Sequence, residues 1–318
     1  MLDCSRNLKS EIGNRKSIMA TPQRIVSFLP SATEMLCALG LGDRLVGITH
    51  ECDYPEEVRS KPIVVRNVLP IESMTQIEID EAVAERMRSG QSLYQIDERL
   101  LHELAPDLIL TQDLCQVCAP SGNEVSQVLQ TLEQKPQILW LTPKSLSEIF
   151  ENLRELGDAT GSSRQAEQLV QDCQLRLDDL AAKTSKLETR PRVFCMEWID
   201  PVYASGHWVP EMVRIAGGLD QLGSEGADSI RISWNEVVEW APEVLIIMPC
   251  GFNLRRWLSK LHNCSTTPVG RTFLLCGRAG SMQLMRTHTS HGLVQELFKA
   301  PSCWHTSSIL RLFPGTTQ

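Results

Sequence analysis

Cys115 and Cys118 stand at the spacing of a zinc half-site or a redox dithiol, and His50 with Cys52 offers two further ligands of the kind soft metals accept. No second Cys or His pair follows at a matching distance, so three uses stay open for these thiols: metal contact, a redox pair, and buried packing. The candidate metal set is therefore Cys52, Cys115, Cys118 and His50, with Glu51, Asp53, Tyr54 and Gln112 as polar neighbours on the same two stretches. Farther along, Glu197 and Trp198, then His207 and Trp208, then Cys250 make a second group. Indoles supply broad apolar faces suited to a large flat ligand. His207 can ligate a metal or donate to an anion, and it precedes Pro210 and Glu211 at a loop-to-helix junction where backbone N–H groups also point outward. Glu51 and Glu197 could form an acid pair, yet no Ser-His-Asp set, phosphate loop or His-Glu-x-x-His helix accompanies them. The residues favour a non-enzymatic binding protein. The alternative is a thiol-dependent metal-handling protein or redox enzyme using Cys115 and Cys118.

The elements that must position these groups alternate. Short β-branched runs at Arg24 to Phe28, Leu45 to Ile48, Leu108 to Thr111, Gln137 to Leu141, Arg192 to Met196 and Val244 to Met248 are separated by helical patterns. That alternation predicts parallel α/β layers, whose ligands bind beyond the carboxyl ends of the strands, and every candidate residue falls there. Ser31 with Glu34 three residues on predicts a capping box for a helix over Ser31 to Leu39, and helices are also expected over Ile77 to Arg88, Leu146 to Leu156 and Pro210 to Ala216. Ser162 to Leu187 contains no Gly or Pro and carries apolar residues at helical spacing, which predicts one long helix. The run Ala105-Pro106-Asp107-Leu108 returns as Ala241-Pro242-Glu243-Val244, and Arg24-Ile25-Val26 returns as Arg192-Val193-Phe194. A weak duplication on either side of a long helix predicts two similar α/β lobes joined by a backbone helix, with a ligand cleft between them. The expected divisions are a disordered leader over 1–22, a first lobe over 23–160, the connector over 161–190, a second lobe over 191–254 and an atypical tail over 255–318.

A chain of 318 residues with 42% hydrophobic and 22% charged residues can bury the cores of two lobes. Its net charge of −8 and the lack of a basic stripe argue against nucleic acid, and no apolar run approaches the length of a membrane span, so membrane insertion is not expected. The first twenty residues hold no apolar run of signal-peptide type, and the eleven cysteines are dispersed. These features predict thiols in a reducing compartment and a cytoplasmic monomer, with an organelle as the alternative; without an export signal, an ABC permease partner is placed in doubt.

Several stretches in order also resemble a known family: Leu29-Pro30-Ser31-Ala32-Thr33-Glu34, His50-Glu51-Cys52-Asp53-Tyr54-Pro55, Ser92-Leu93-Tyr94, Leu110-Thr111-Gln112 with Cys115 and Cys118, Gly206-His207-Trp208-Val209-Pro210-Glu211-Met212, Arg231-Ile232-Ser233-Trp234 and Met248-Pro249-Cys250-Gly251-Phe252. Over about Arg24 to Leu254 the chain resembles the periplasmic-binding-protein-like receptors of ABC transporters for vitamin B12 and iron chelates, in their cysteine-bearing branch. The resemblance implies two lobes on a rigid helix and a cobalamin-like corrinoid, haem or chelated iron held between them, with no further cofactor required. The tail departs from it. Residues 255–318 contain eight Lys/Arg and one acidic residue, Glu296, against 23 basic and 38 acidic before them, and four of the seven His. Permitted codons for Gly280 to Gly292, read from each third base, yield a Phe-Tyr-Ala-Val-Asp-Ala-Asn-Ala-Tyr-Phe-Thr-Arg run similar to that family's own ending. A change of reading frame near Arg255 is therefore expected, and with it a tail not selected to fold on the second lobe.

Overall fold

The computed structural model describes residues 21–113, 120, 130–248, 272–276 and 282–286. Among them are two six-stranded sheets. The first contains β1 (Ile25–Ser27), β2 (Leu45–Thr49), β3 (Ile63–Asn67), β4 (Tyr94–Ile96), β5 (Leu108–Thr111) and β6 (Gln137–Trp140), in the order β4-β3-β2-β1-β5-β6. Every pair is parallel except β3 with β4. β1 and β5 are buried at every position, as central parallel strands covered on both faces must be. One face, through Ile25, Leu45, Leu108 and Leu110, packs on α1 (Pro30–Ala38), α4 (Leu146–Thr160) and α5 (Ser163–Thr184). The other, through Val26, Val64 and Ile109, packs on Leu101 of α3 (Glu98–Leu104).

The second sheet contains β7 (Val193–Ile199), β8 (Val202–Ala204), β9 (Ile230–Arg231), β10 (Val244–Ile247), β11 (Thr272–Cys276) and β12 (Met282–Arg286), ordered β12-β11-β10-β7-β8-β9. β7, β10 and β11 run parallel, while β8, β9 and β12 are added antiparallel. Val193, Cys195, Val244 and Ile246 meet Val209 and Val213 of α6 (Val209–Ile215) on one face. On the other, Phe194, Met196, Leu245 and Ile247 meet Val237 of α7 (Trp234–Trp240) and Ile79 of α2 (Gln76–Arg88), a helix that follows β3 in the first lobe. β11 and β12 belong to the segment beyond residue 254, so the second sheet continues past the boundary expected at that residue, with one stretch of the atypical tail paired onto β10 and a second paired onto the first; the remainder of 249–318, with Cys250, lies outside the described residues.

The duplication visible in the sequence is physical. α3 and α7 both end on an alanine in the left-handed region, Ala105 (φ 39°) and Ala241 (φ 48°), followed by Pro and an acid that enter the next strand. Arg24 Nε donates to the Leu104 carbonyl at 2.7 Å, and Arg192 Nε donates to the Ala241 carbonyl at 2.8 Å. The Asp107 carboxylate accepts the Gln23 and Arg24 N–H groups at 2.7 and 2.9 Å, and Glu243 accepts the Arg192 N–H at 3.0 Å.

The long helix α5 runs over 22 residues, about 33 Å at 1.5 Å per residue. Its early turns place Ala166, Leu169, Val170 and Cys173 in the first lobe's core, while Thr184 near its end donates to the Ile215 carbonyl of the second lobe at 2.7 Å. It therefore touches both lobes. Two more contacts cross between them: Tyr203 on β8 meets the Asp80 carboxylate of α2, and Glu211 on α6 accepts the Leu146 N–H at 3.0 Å. The expected Ser31–Glu34 capping box is absent, because Pro30 takes the first helical turn and puts Leu29 at the cap, while Glu34 turns into the lobe, 5% exposed. Capping boxes form instead at Thr75 with Glu78 and at Ser233 with Glu236. No described helix is long and apolar enough to cross a membrane.

Candidate functional site

The first-lobe loop begins where β2 ends. His50 Nδ1 lies 3.2 Å from the Val65 carbonyl, which fixes the ring against β3, and its Nε2 is 3.9 Å from Glu51. Cys52 turns the other way. It is 5% exposed within the first-lobe core, with Sγ 3.1 Å from Thr33 Oγ1, and burial pushes its thiol up to about 12. Its place in the core, against Thr33, assigns Cys52 to packing rather than to the lip of the cleft. Asp53 is partly buried and uses its carbonyl to accept from Arg59 Nε at 2.9 Å; Tyr54 is exposed. Gln112 follows β5 and is partly buried, whereas Cys115 and Cys118 lie outside the described residues. Among the described residues no group of three His, Cys, Asp or Glu side chains gathers as a metal site.

The second-lobe loop is braced more heavily. Glu197, near the end of β7, accepts from Ser229 Oγ at 2.6 Å and from the Gly206 N–H, and burial still raises its carboxyl to about 6. Gly206 lies so close to the chain at 227–229 that a Cβ there would sit 2.4 Å from the Ala227 carbonyl oxygen. His207 is forced into the left-handed region (φ 53°), its N–H donating to Ala227 at 2.6 Å and its carbonyl accepting from Gly226 at 2.8 Å. Its Nε2 is buried 3.3 Å from Asp228 Oδ1, off the axis of a well-formed hydrogen bond. Burial lowers the imidazole's pKa, an effect opposed by Asp228 and reinforced by Lys144, so the ring is neutral at neutral pH. Trp208 stacks at a tilt on His207, with centroids 5.8 Å apart, and packs against both the first-lobe core and the β7–β10 face, which makes it a wedge at the junction of the lobes. Trp198 packs on the opposite face of the second sheet beside Phe194 and Ile247.

The structure thus draws Glu197, His207 and Trp208 into one braced assembly and leaves His50, Glu51, Asp53 and Tyr54 on the first lobe's loop. Sequence reasoning named Gly206 only as part of a matching stretch, without a role, and passed over Asp228 and Ser229, which do the bracing with it. The turn-forming run Gly226-Ala227-Asp228-Ser229 was the available signal. It also passed over Trp140, 36% exposed at the carboxyl end of β6.

Two α/β lobes on a shared helix, with loops gathered beyond the strands' carboxyl ends, define the solute-binding class of proteins. The chain belongs to the periplasmic binding protein family, which it matches over residues 25–261. It is similar to a vitamin B12-binding protein of Vibrio vulnificus strain YJ016, at 26% identity over 237 residues covering 73% of this chain and 74% of that one. It is also similar to an ABC transporter substrate-binding lipoprotein of Bacillus subtilis, at 29% identity over 219 residues covering 65% and 59%. Among solved structures, the periplasmic vitamin B12 binding protein of Vibrio cholerae superposes with a TM-score of 0.55 at 21% identity, covering 77% of this chain and 82% of that one. A periplasmic haem binding protein from Pseudomonas aeruginosa gives 0.61 at 18% identity, covering 82% and 86%. These superpositions establish the fold.

The comparisons overturn the expected cytoplasmic location. The family is periplasmic and its relatives include a substrate-binding lipoprotein, so these proteins work outside the cytoplasm. The cysteine argument failed because Cys52, Cys173 and Cys195 are free thiols buried in cores, a packing role that carries no information about the redox state of the compartment.

Proposed function

We propose that this protein is the receptor of an ABC importer and captures a metal chelate of the corrinoid type between its lobes, delivering it to a membrane permease. The observation that carries this reading is the second-lobe loop: a neutral imidazole and an indole, His207 and Trp208, held rigidly at the junction of the lobes. A flat macrocycle needs apolar surface and a few fixed polar groups, and a preordered loop offers both with little loss of freedom on binding. Corrinoids come before haem because relatives aligned along most of the chain are named vitamin B12-binding proteins.

Titration of the purified chain with cyanocobalamin, cobinamide and haem, followed by calorimetry and visible absorbance, tests the proposal. Saturable binding of a corrinoid at one per chain, weakened about tenfold or more in His207→Ala, is the expected result. A cooperatively folded protein that gives neither heat nor a spectral change with any of the three overturns it. Metal analysis of anaerobically purified wild type and Cys115→Ser separates this reading from a thiol-based one, which requires tightly held metal that the variant loses.

A further inference from the structure

We propose that the segment 226–229 is a positioning strap for the ligand-binding loop 205–208, with Asp228 as the residue that sets the orientation and tautomer of His207. This rests on the reading of His207 as a ligand contact. Three independent features point to a strap. The two segments are joined in both directions by backbone, His207 donating to Ala227 and accepting from Gly226, while Ser224 N–H reaches the Ser205 carbonyl at 3.3 Å. Their approach excludes any side chain at position 206, since a Cβ would also lie 2.6 Å from Asp228 C and Ser229 N. Glu197, on the rigid β7, then ties both together by accepting from Gly206 of the loop and Ser229 of the strap.

The consequence for chemistry follows from the imidazole. A non-glycine residue at φ 53° persists only where its surroundings impose it, and the imposed turn places Nε2 beside the Asp228 carboxylate. A carboxylate neighbour favours the tautomer that carries its proton on Nε2, which leaves Nδ1 as the nitrogen with the lone pair. Among the described residues no group bonds Nδ1. Asp228 itself is 77% exposed at its side chain, so it acts as an orienting group at the edge of the site and not as a buried charge. Carboxylates that orient a ligating histidine are worth roughly tenfold or more in affinity in other proteins.

The test uses the full chain with Asp228→Asn, Asp228→Glu and Ser229→Ala. In ligand-free protein, NMR titration of histidine side chains, with the His207 signal assigned from His207→Asn, reads the strap directly. Asp228→Asn should lower the His207 titration midpoint further, because the opposing charge is gone and Lys144 and burial remain; Asp228→Glu should restore it. With cobinamide and haem as probes, Asp228→Asn should weaken binding roughly tenfold while the unfolding midpoint stays near wild type. Should no probe bind wild type while the titration shift and its rescue are present, the receptor reading falls and the strap stands. An unmoved His207 midpoint in Asp228→Asn overturns the strap, whatever the ligand data show.

Discussion

The two lobes share one strand-entry device and differ in what happens where their strands end. Each takes a helix to a left-handed alanine, a proline and an acid, then locks the returning chain with an arginine from the first strand of its sheet or the residue just before it. In the first lobe the next loop is pulled inward: Cys52 meets Thr33 inside the core, and His50 is spent on Val65. In the second lobe the loop is held from outside by 226–229, and His207 and Trp208 are left at the junction. A common scaffold therefore yields one loop that builds the interior and one held at the junction of the lobes, and the choice is made by which segment supplies the brace.

The most forceful way to break the comparison is through the tail. We propose that the chain is frame-shifted from near Arg255 onward, supported by the swing from 23 basic and 38 acidic residues before residue 255 to eight and one after it; the family match stops shortly beyond, at residue 261. Residues 272–276 and 282–286 already extend the second sheet, so the out-of-frame reading put in place of 255–318 must do better than these two strands: it should stabilise the second lobe by a sizeable share of the roughly 5 to 15 kcal/mol of an ordinary domain. Chemical denaturation of both versions reads this. Equal midpoints, or a genomic sequence that runs uninterrupted through the Arg255 codon in close relatives, remove the idea.

Next in size is a glycine pair, one in each lobe. In Gly206→Ala the added methyl meets backbone at 2.4 Å, whereas in Gly47→Ala it meets the ends of Val64 and Leu104 side chains at 2.7 and 2.8 Å. Backbone cannot step aside without breaking the strap, so Gly206→Ala should cost about 3 kcal/mol and Gly47→Ala about 1 kcal/mol by denaturant unfolding. A smaller loss at 206 than at 47 would show that the second-lobe loop is not tightly braced.

Glu197 sharpens the same point through pH. Its folded pKa of about 6 stands above the ordinary value, so the folded state binds the proton more readily than the unfolded one. The stability this provides is complete below the unfolded value, near 4.3, and is lost as pH rises through about 6. At neutral pH the buried charge costs about 2 kcal/mol, and Glu197→Gln should recover that difference above pH 6 while changing little at pH 4. Unfolding midpoints against pH decide it; parallel curves for wild type and variant would mean that Glu197 is solvated.

Much of this fold could be read from residue order. The buried β-branched runs, the gapless helix and the twice-used Ala-Pro-acid entry all report local or repeating physics, and each appears where expected. The short antiparallel additions β4, β8 and β9 were not legible, since two or three residues carry no period. At the candidate site, Glu197, His207 and Trp208 stood out because unusual residue types followed strands, and the structure brings them together. The inward turn of Cys52 was missed because it depends on Thr33, nineteen positions away. The strap was missed because a close approach between 206 and 227 leaves no trace beyond a glycine.

The finest test asks whether the shared entry device is the same in both lobes. Ala105 and Ala241 are exposed, so neither methyl is packed, yet each holds a left-handed backbone that costs an L-residue about 1 kcal/mol. Glycine removes that strain and adds back some entropy to the unfolded chain, so Ala105→Gly and Ala241→Gly should each stabilise by about 0.5 kcal/mol. They stand in separate lobes with no shared partner, so the double variant should gain the sum. If the second-lobe substitution gains nothing while the first gains as expected, the lobe ends are not equivalent in solution. The difference would then begin at the strand entry, upstream of the loops, and the brace would be only part of what separates the two lobes.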